Sequence, residues 1–124
     1  MRHTFLALLL CLAALPVSAK DTLIETVSTS GTSASSAAFD CGIQVSVRCA
    51  SADASYRICD TVADGATCTA VTTDLRLAQS TIYDIGVPAG SASSSQCKIA
   101  FITATGTGTC SVYRVHPRTI PATP

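Results

Sequence analysis

The sequence predicts an all-β fold: a single small antiparallel β-sandwich, or barrel-like stack, stapled by three disulfides. Three observations carry this. Apolar residues recur with a period of two in short runs, the runs are separated by Gly, Pro, Asp and Ser, and six cysteines follow an N-terminal stretch that reads as an export leader. An even cysteine set in a small exported domain forms disulfides in an oxidising compartment. The expected disulfide residues are Cys41, Cys49, Cys59, Cys68, Cys97 and Cys110.

Residues 1–19 divide into a basic start at Arg2, an apolar run containing Cys11, and small residues ending at Ala19. This is the pattern of a cleaved signal peptide, with the mature chain starting at Lys20. The run is shorter than the roughly 20 residues of a transmembrane helix, so no membrane span is expected. Residues 20–38 read as an N-terminal arm, strand-like over 22–27 and then a Ser/Thr/Ala-rich linker over 28–38 with too little apolar surface to fold alone. Leu23 and Val27 share one face while Ile24 falls on the other, a broken alternation poorly suited to a fixed internal strand. Thr22, Leu23, Ile24 and Val27 are therefore expected to form an assembly arm that adds to the sheet edge of a neighbour.

The sandwich itself is expected over 39–115. In 43–49 the odd positions are apolar, so Ile43, Val45, Val47 and Cys49 share the inward face. In 55–59 Tyr56 and Ile58 point inward and Arg57 outward. Further strands are predicted over 67–72, 75–77, 81–87, 98–103 and 109–115. The unbroken apolar run Ile99-Ala100-Phe101-Ile102 predicts a strand covered on both faces. Turn chemistry falls at Ser51-Ala52-Asp53, Asp64-Gly65, Val87-Pro88-Ala89-Gly90 and Gly106-Thr107-Gly108. Residues 116–124, with three prolines, read as an extended tail.

Geometry limits the disulfide pairings. If 43–49 continues the strand from Cys41, Cys41 and Cys49 lie roughly 26 Å apart, beyond bridging distance. A Cys59–Cys68 bridge requires a longer loop or a bulge, because a two-residue turn at 64–65 would set Cys59 opposite Ala70. A turn near Gly106 counts against pairing Cys97 with Cys110.

Composition excludes several functions. Removing Arg2 leaves seven Lys/Arg against eight Asp/Glu, so there is no basic field for nucleic acid or anionic lipid. No Asn is present to carry N-linked glycans. The nearest cysteine pair, Cys41 and Cys49, is too widely spaced for a structural zinc site, and no Cys-x-x-Cys supports redox chemistry. We therefore expect no metal and no cofactor.

Catalysis is equally unsupported. The mature chain holds one histidine, His116, in the tail, whereas nucleophilic catalysis needs a base on a rigid support. A hydrolytic pair would draw on Glu25, Asp40, Asp53, Asp60, Asp64, Asp74 and Asp84, and most of these sit beside turn residues. Asp84, between Ile82 and Gly86, reads as solvent-facing. The segment from Asp60 to Gly65 lacks the dense oxygen spacing of a calcium loop. Phe39, Tyr56, Tyr83, Phe101 and Tyr113 are too scattered for a stacking platform and read as core, Phe39 excepted. Arg48, Arg57, Arg76 and Arg114 fall on separate strands as outward positions, and would make an anion-binding patch only if several shared one face.

From Val45 onward the order of motifs resembles that of small β-sandwich virion proteins of tailed phages, of the head-decoration or fibre-associated kind. The matching stretches are Val45-Ser46-Val47-Arg48, Ser51-Ala52-Asp53 leading into Tyr56-Arg57-Ile58, Leu77-Ala78 with Ile82-Tyr83-Asp84-Ile85, Val87-Pro88-Ala89-Gly90, Ile99-Ala100-Phe101-Ile102 and Gly106-Thr107-Gly108-Thr109. The resemblance implies a sandwich fold and a role in assembly, here in an exported, disulfide-bonded form. The expected function is thus that of a secreted or periplasmic, non-enzymatic structural or interaction protein. It would be a subunit of an extracellular assembly, with itself or another extracellular protein as partner. The alternative is a monomeric inhibitor or ligand-binding module using loops 61–67 and 89–96, with a small hydrolase last.

Overall fold

Each alternating strand has one apolar face to bury, and two sheets packed face to face bury them all. The protein, described from a computed structural model, is resolved over residues 21–65 and 67–116. Residues 1–20, 66 and 117–124 lie outside the described residues, and with them the expected leader, the expected start at Lys20 and most of the expected tail. Nine strands and no helix occur among the described residues: β1 (Thr22–Thr29), β2 (Ala34–Ser35), β3 (Phe39–Asp40), β4 (Gln44–Ala50), β5 (Ala54–Asp60), β6 (Leu75–Leu77), β7 (Ile82–Gly86), β8 (Gln96–Ile102) and β9 (Gly108–Arg114). One sheet has the order β1-β9-β4-β7; the other has β2-β8-β5-β6, with β3 also paired to β8. All pairings are antiparallel.

The core lies between the sheets. Val45, Val47 and Val112 from the first sheet meet Ile99 and Phe101 from the second, and each is 0% exposed. On β4 the odd positions face inward as expected, and on β5 Tyr56 and Ile58 pack against the same core. Phe101 is core as predicted, but so is Phe39, which is buried beside Cys97. Tyr83 also packs against the core, whereas Tyr113 is half-buried on the outer face of the first sheet, opposite Ser46 and Leu23.

The three bridges are Cys41–Cys97, Cys49–Cys110 and Cys59–Cys68. Cys49 and Cys110 are directly opposed on β4 and β9, with α-carbons 4.0 Å apart inside the core. Cys41–Cys97 fastens the crossover from β3 in one sheet to β4 in the other. Cys59–Cys68 closes the longer loop that the sequence argument required.

Three expectations need correction. Residues 22–27 do not form a free arm. Thr22, Leu23 and Val27 pair with Arg114, Tyr113 and Cys110 of β9, and the register shifts between Leu23 and Glu25. That bulge absorbs one residue, so Ile24 packs against the core while Val27 is buried in it, and the broken alternation is resolved within the chain.

The Ser-rich stretch 28–38 is also part of the sandwich. Its hydroxyls replace the missing apolar surface by bonding to the edge of β8: Ser36 N–H donates to Ile99 O at 2.8 Å, and Ile99 N–H donates back to Ser36 Oγ at 3.2 Å. Ser33 Oγ accepts the Ala70 N–H at 2.8 Å. The domain therefore runs from β1, not from residue 39.

Residues 67–72 are not a strand. They cross the outer face of the second sheet, where Cys68 and Ala70 pack on Cys59 and Ala100. Their alternation is real, but it marks a loop with one buried side. This loop is also what covers the second face of the 99–102 run.

Candidate functional site

The loops gather at the two ends of the sandwich, and the ends differ in how they use their polar groups. One end holds the 50–53 turn, the 77–82 connection and the 102–108 crossover. There β4 ends at Ala50, and Ser51 takes a left-handed conformation (φ 72°) that turns the chain into β5. Gly108 lies tight beneath this turn; a Cβ there would sit 2.2 Å from the Ala50 carbonyl oxygen. Only glycine allows that approach.

Asp53 is the anchor of this end. Its Oδ2 accepts from Arg76 Nη2 at 2.6 Å, and its Oδ1 accepts the Gln79 N–H at 2.9 Å. The Gln79 amide first, and the Arg76 guanidinium second, hold its carboxyl below the ordinary aspartate range. Ser80, also left-handed (φ 61°), donates its N–H to Cys49 O at 2.7 Å. On the facing loop Thr103, itself buried, donates Oγ1–H to Gly106 O at 2.7 Å.

Between these loops is a cavity of about 510 Å³, within the size range of ligand pockets. It is lined by Ser51, Asp53, Ser55, Thr72, Arg76 and Gln79, with 104–106 as the far wall. Ser51 and Ser80 are the two non-glycine residues of positive φ among the described residues. Such backbone costs of order 1–3 kcal/mol each and concentrates at ligand clamps. Both flank this cavity, one in its wall and one beside Gln79.

The opposite end is closed on itself. Asp60 Oδ1 accepts the amides of Val62 and Ala63 at 2.9 and 3.4 Å, and Oδ2 accepts the Ser91 amide at 2.7 Å. These backbone donors, Ser91 foremost, drive the Asp60 carboxyl far below its ordinary value. Asp64 accepts the Asp60 N–H at 2.8 Å, and Thr61 exchanges bonds with Gln96. Loops 61–67 and 89–96, expected to be the binding loops of a monomeric module, are thus bonded to each other. Asp60 spends its oxygens on amides that a calcium ion would have to displace. Among the described residues no group of three or more His, Cys, Asp or Glu is placed to hold a metal.

The remaining candidates are dispersed. Arg57 pairs with Asp74 at 2.8 Å and Arg114 with Asp40 at 2.8 Å. With Asp53–Arg76, three of the four arginines are neutralised, so they do not sum to an anion-binding patch. Arg48 lies on the outer face of the first sheet, near Tyr113 and Ile82. Asp84 is exposed on β7, and Glu25 reaches across to accept the Ala37 amide. His116 Nε2 lies 2.7 Å from Thr22 Oγ1 at the exposed start of β1. No carboxylate is bonded to that ring among the described residues, so a hydroxyl and an imidazole meet there without a third orienting group.

In the sequence Asp53 reads as a turn residue and Arg76 as an outward cation. Their partnership is not legible there, because 23 positions separate them and only the β5–β6 register, with Ser55 opposite Arg76, brings them together. The turn chemistry of Ser51-Ala52-Asp53 is the one local signal.

No helix among the described residues is long and apolar enough to cross a membrane. No protein-family model, curated protein or solved structure matches the chain. The resemblance to virion proteins therefore rests on motif order alone.

Proposed function

We propose that the protein is a non-enzymatic binding module of an oxidising, extracytoplasmic compartment, which takes its ligand in the cavity between Asp53 and the 104–106 loop. Three intramolecular disulfides suit that compartment. The observation that carries the reading is that the cavity is built in advance. Its loops are fixed by the Asp53 bonds, by Ser80 to the Cys49 carbonyl, and by the Cys49–Cys110 bridge at the base of the same turn. A preformed site does not lose loop entropy when it binds.

A second reading, the assembly subunit, is favoured by a groove on the open side of the sandwich, lined by Tyr56, Ile58, Leu75 and Ile85. Leu75 and Ile82 are 69% and 66% exposed on its flanking edge strands. Those edges nevertheless carry features that resist pairing: β6 has three residues, β7 carries Asp84 and runs into Pro88, and β1 at the other side has a bulge and Glu25. Sizing the oxidised protein over a range of concentrations separates the readings. A monomer throughout is the result expected of a binding module; concentration-dependent oligomers, lost in Leu75→Ser with Ile82→Ser, would establish the assembly subunit instead.

A further inference from the structure

The cavity also specifies the chemistry of its ligand. We propose that it binds a neutral polyhydroxylated molecule, a saccharide, whose adjacent hydroxyls donate to the Asp53 carboxylate and accept from the Arg76 guanidinium. This rests on the reading of the cavity as the binding site.

Charge removes the ionic ligands first. Arg76 faces the cavity with its charge balanced by Asp53 at 2.6 Å, and no other Lys or Arg is in the wall. An inorganic anion would have to compete with that carboxylate. A metal cation finds a single carboxylate in the wall, its charge already balanced by the Arg76 guanidinium. An apolar or aromatic ligand finds no Phe, Tyr or large aliphatic side chain in the wall.

What the wall does offer is unused hydrogen-bonding capacity. Each Asp53 oxygen has one protein partner and a second lone-pair direction open. The Arg76 guanidinium has five N–H groups, of which one is bonded to Asp53. The Gln79 backbone amide and Arg76 both favour the carboxylate form of Asp53, which keeps it an acceptor. An acceptor and a donor held side by side complement two neighbouring hydroxyls, one donating and one accepting. The Gln79 amide and the hydroxyls of Ser51, Thr72 and Thr105 extend this polar rim. A cavity of about 510 Å³ has room for one or two sugar rings. With no aromatic wall to stack on, a ring is held by its edge, and a single sugar binds with a Kd on the order of 1 mM.

The test is amide chemical-shift mapping of the oxidised, full mature protein. The probes are D-glucose, D-galactose, D-mannose and N-acetyl-D-glucosamine, with sodium sulfate and calcium chloride beside them. The proposal expects at least one sugar to give saturable shifts confined to 51–55, 76–80 and 104–106, weakened tenfold or more in Arg76→Gln and in Gln79→Ala. The second variant keeps the backbone bond to Asp53, so it reports on the ligand even if the first fails to fold. Arg57→Ala, on a different ion pair, should bind as the parent does. Saturable shifts at the same amides with sulfate or calcium but with no sugar would overturn the saccharide and keep the cavity. Silence at those amides with every probe would overturn both.

Discussion

The two ends of the sandwich are built from the same materials, an aspartate in each turn region and a disulfide nearby, and they use them oppositely. At one end the Asp60 carboxylate is consumed by the amides of Val62, Ala63 and Ser91, which welds loops 61–67 and 89–96 together. At the other, Asp53 takes one amide and one guanidinium and leaves capacity directed at an open cavity. The disulfides differ in reach as well, although the closed end also holds Cys41–Cys97, which spans 56 positions. Cys59–Cys68 spans 9 positions and closes a local loop, whereas Cys49–Cys110 spans 61 and ties together the strands from which the cavity loops emerge. A carboxylate satisfied by nearby backbone makes a structural joint; one left with open lone pairs on a fixed frame can receive a ligand.

The largest expected effect separates the bridges. On the chain-entropy estimate, replacing Cys49 and Cys110 together by Ala should cost about 4 kcal/mol, against about 2.5 kcal/mol for Cys59 and Cys68. Denaturant unfolding of the two double variants measures this. An equal cost would mean that loop length does not set what each of these two bridges contributes.

Next is Gly108→Ala. Its Cβ would meet the Ala50 carbonyl at 2.2 Å, so the backbone beneath the cavity must move, at a cost of about 1–3 kcal/mol. Urea denaturation gives the cost, and the amide shifts of 51–55 should change with it while those of 61–65 stay fixed. A variant as stable as the parent would show that the turn above Gly108 is not tightly held.

The pH dependence is smaller and has a definite sign. Asp53, Asp60 and Asp74 all have folded-state values below the ordinary aspartate value of 3.8, owing chiefly to backbone amides. A lowered folded value stabilises the fold above the unfolded value, and that contribution is lost as pH falls. The melting midpoint should therefore be insensitive to these groups from neutrality to about pH 5 and decline below about pH 4. In Asp60→Asn the acid decline should be visibly shallower. A profile that is unchanged in that variant would remove Asp60 from the account.

Much of the frame is legible in the sequence, because burial enforces period two. The Val45, Val47, Cys49 series and the doubly covered run at 99–102 are read correctly from pattern alone. Pattern misleads where a local device alters its meaning. The bulge at Ile24 makes a true strand look irregular, and the 67–72 loop looks like a strand because Cys68 and Ala70 are buried against β5 and β8. The Ser-rich segment is ordered by hydroxyl bonds to β8 and to the 67–72 loop, which hydropathy does not register. The cavity was invisible for another reason: Asp53, Arg76 and Gln79 meet only through strand register and the turn at Ser80.

The most direct measurement compares Asp53→Asn with Asp60→Asn in two readouts, the thermal midpoint and the sugar-induced amide shifts at 51–55. The account predicts that Asp60→Asn lowers the midpoint more and leaves the shifts in place, while Asp53→Asn abolishes the shifts with the smaller loss of midpoint. If the two variants change both readouts in parallel, the division between a welded end and a binding end is wrong.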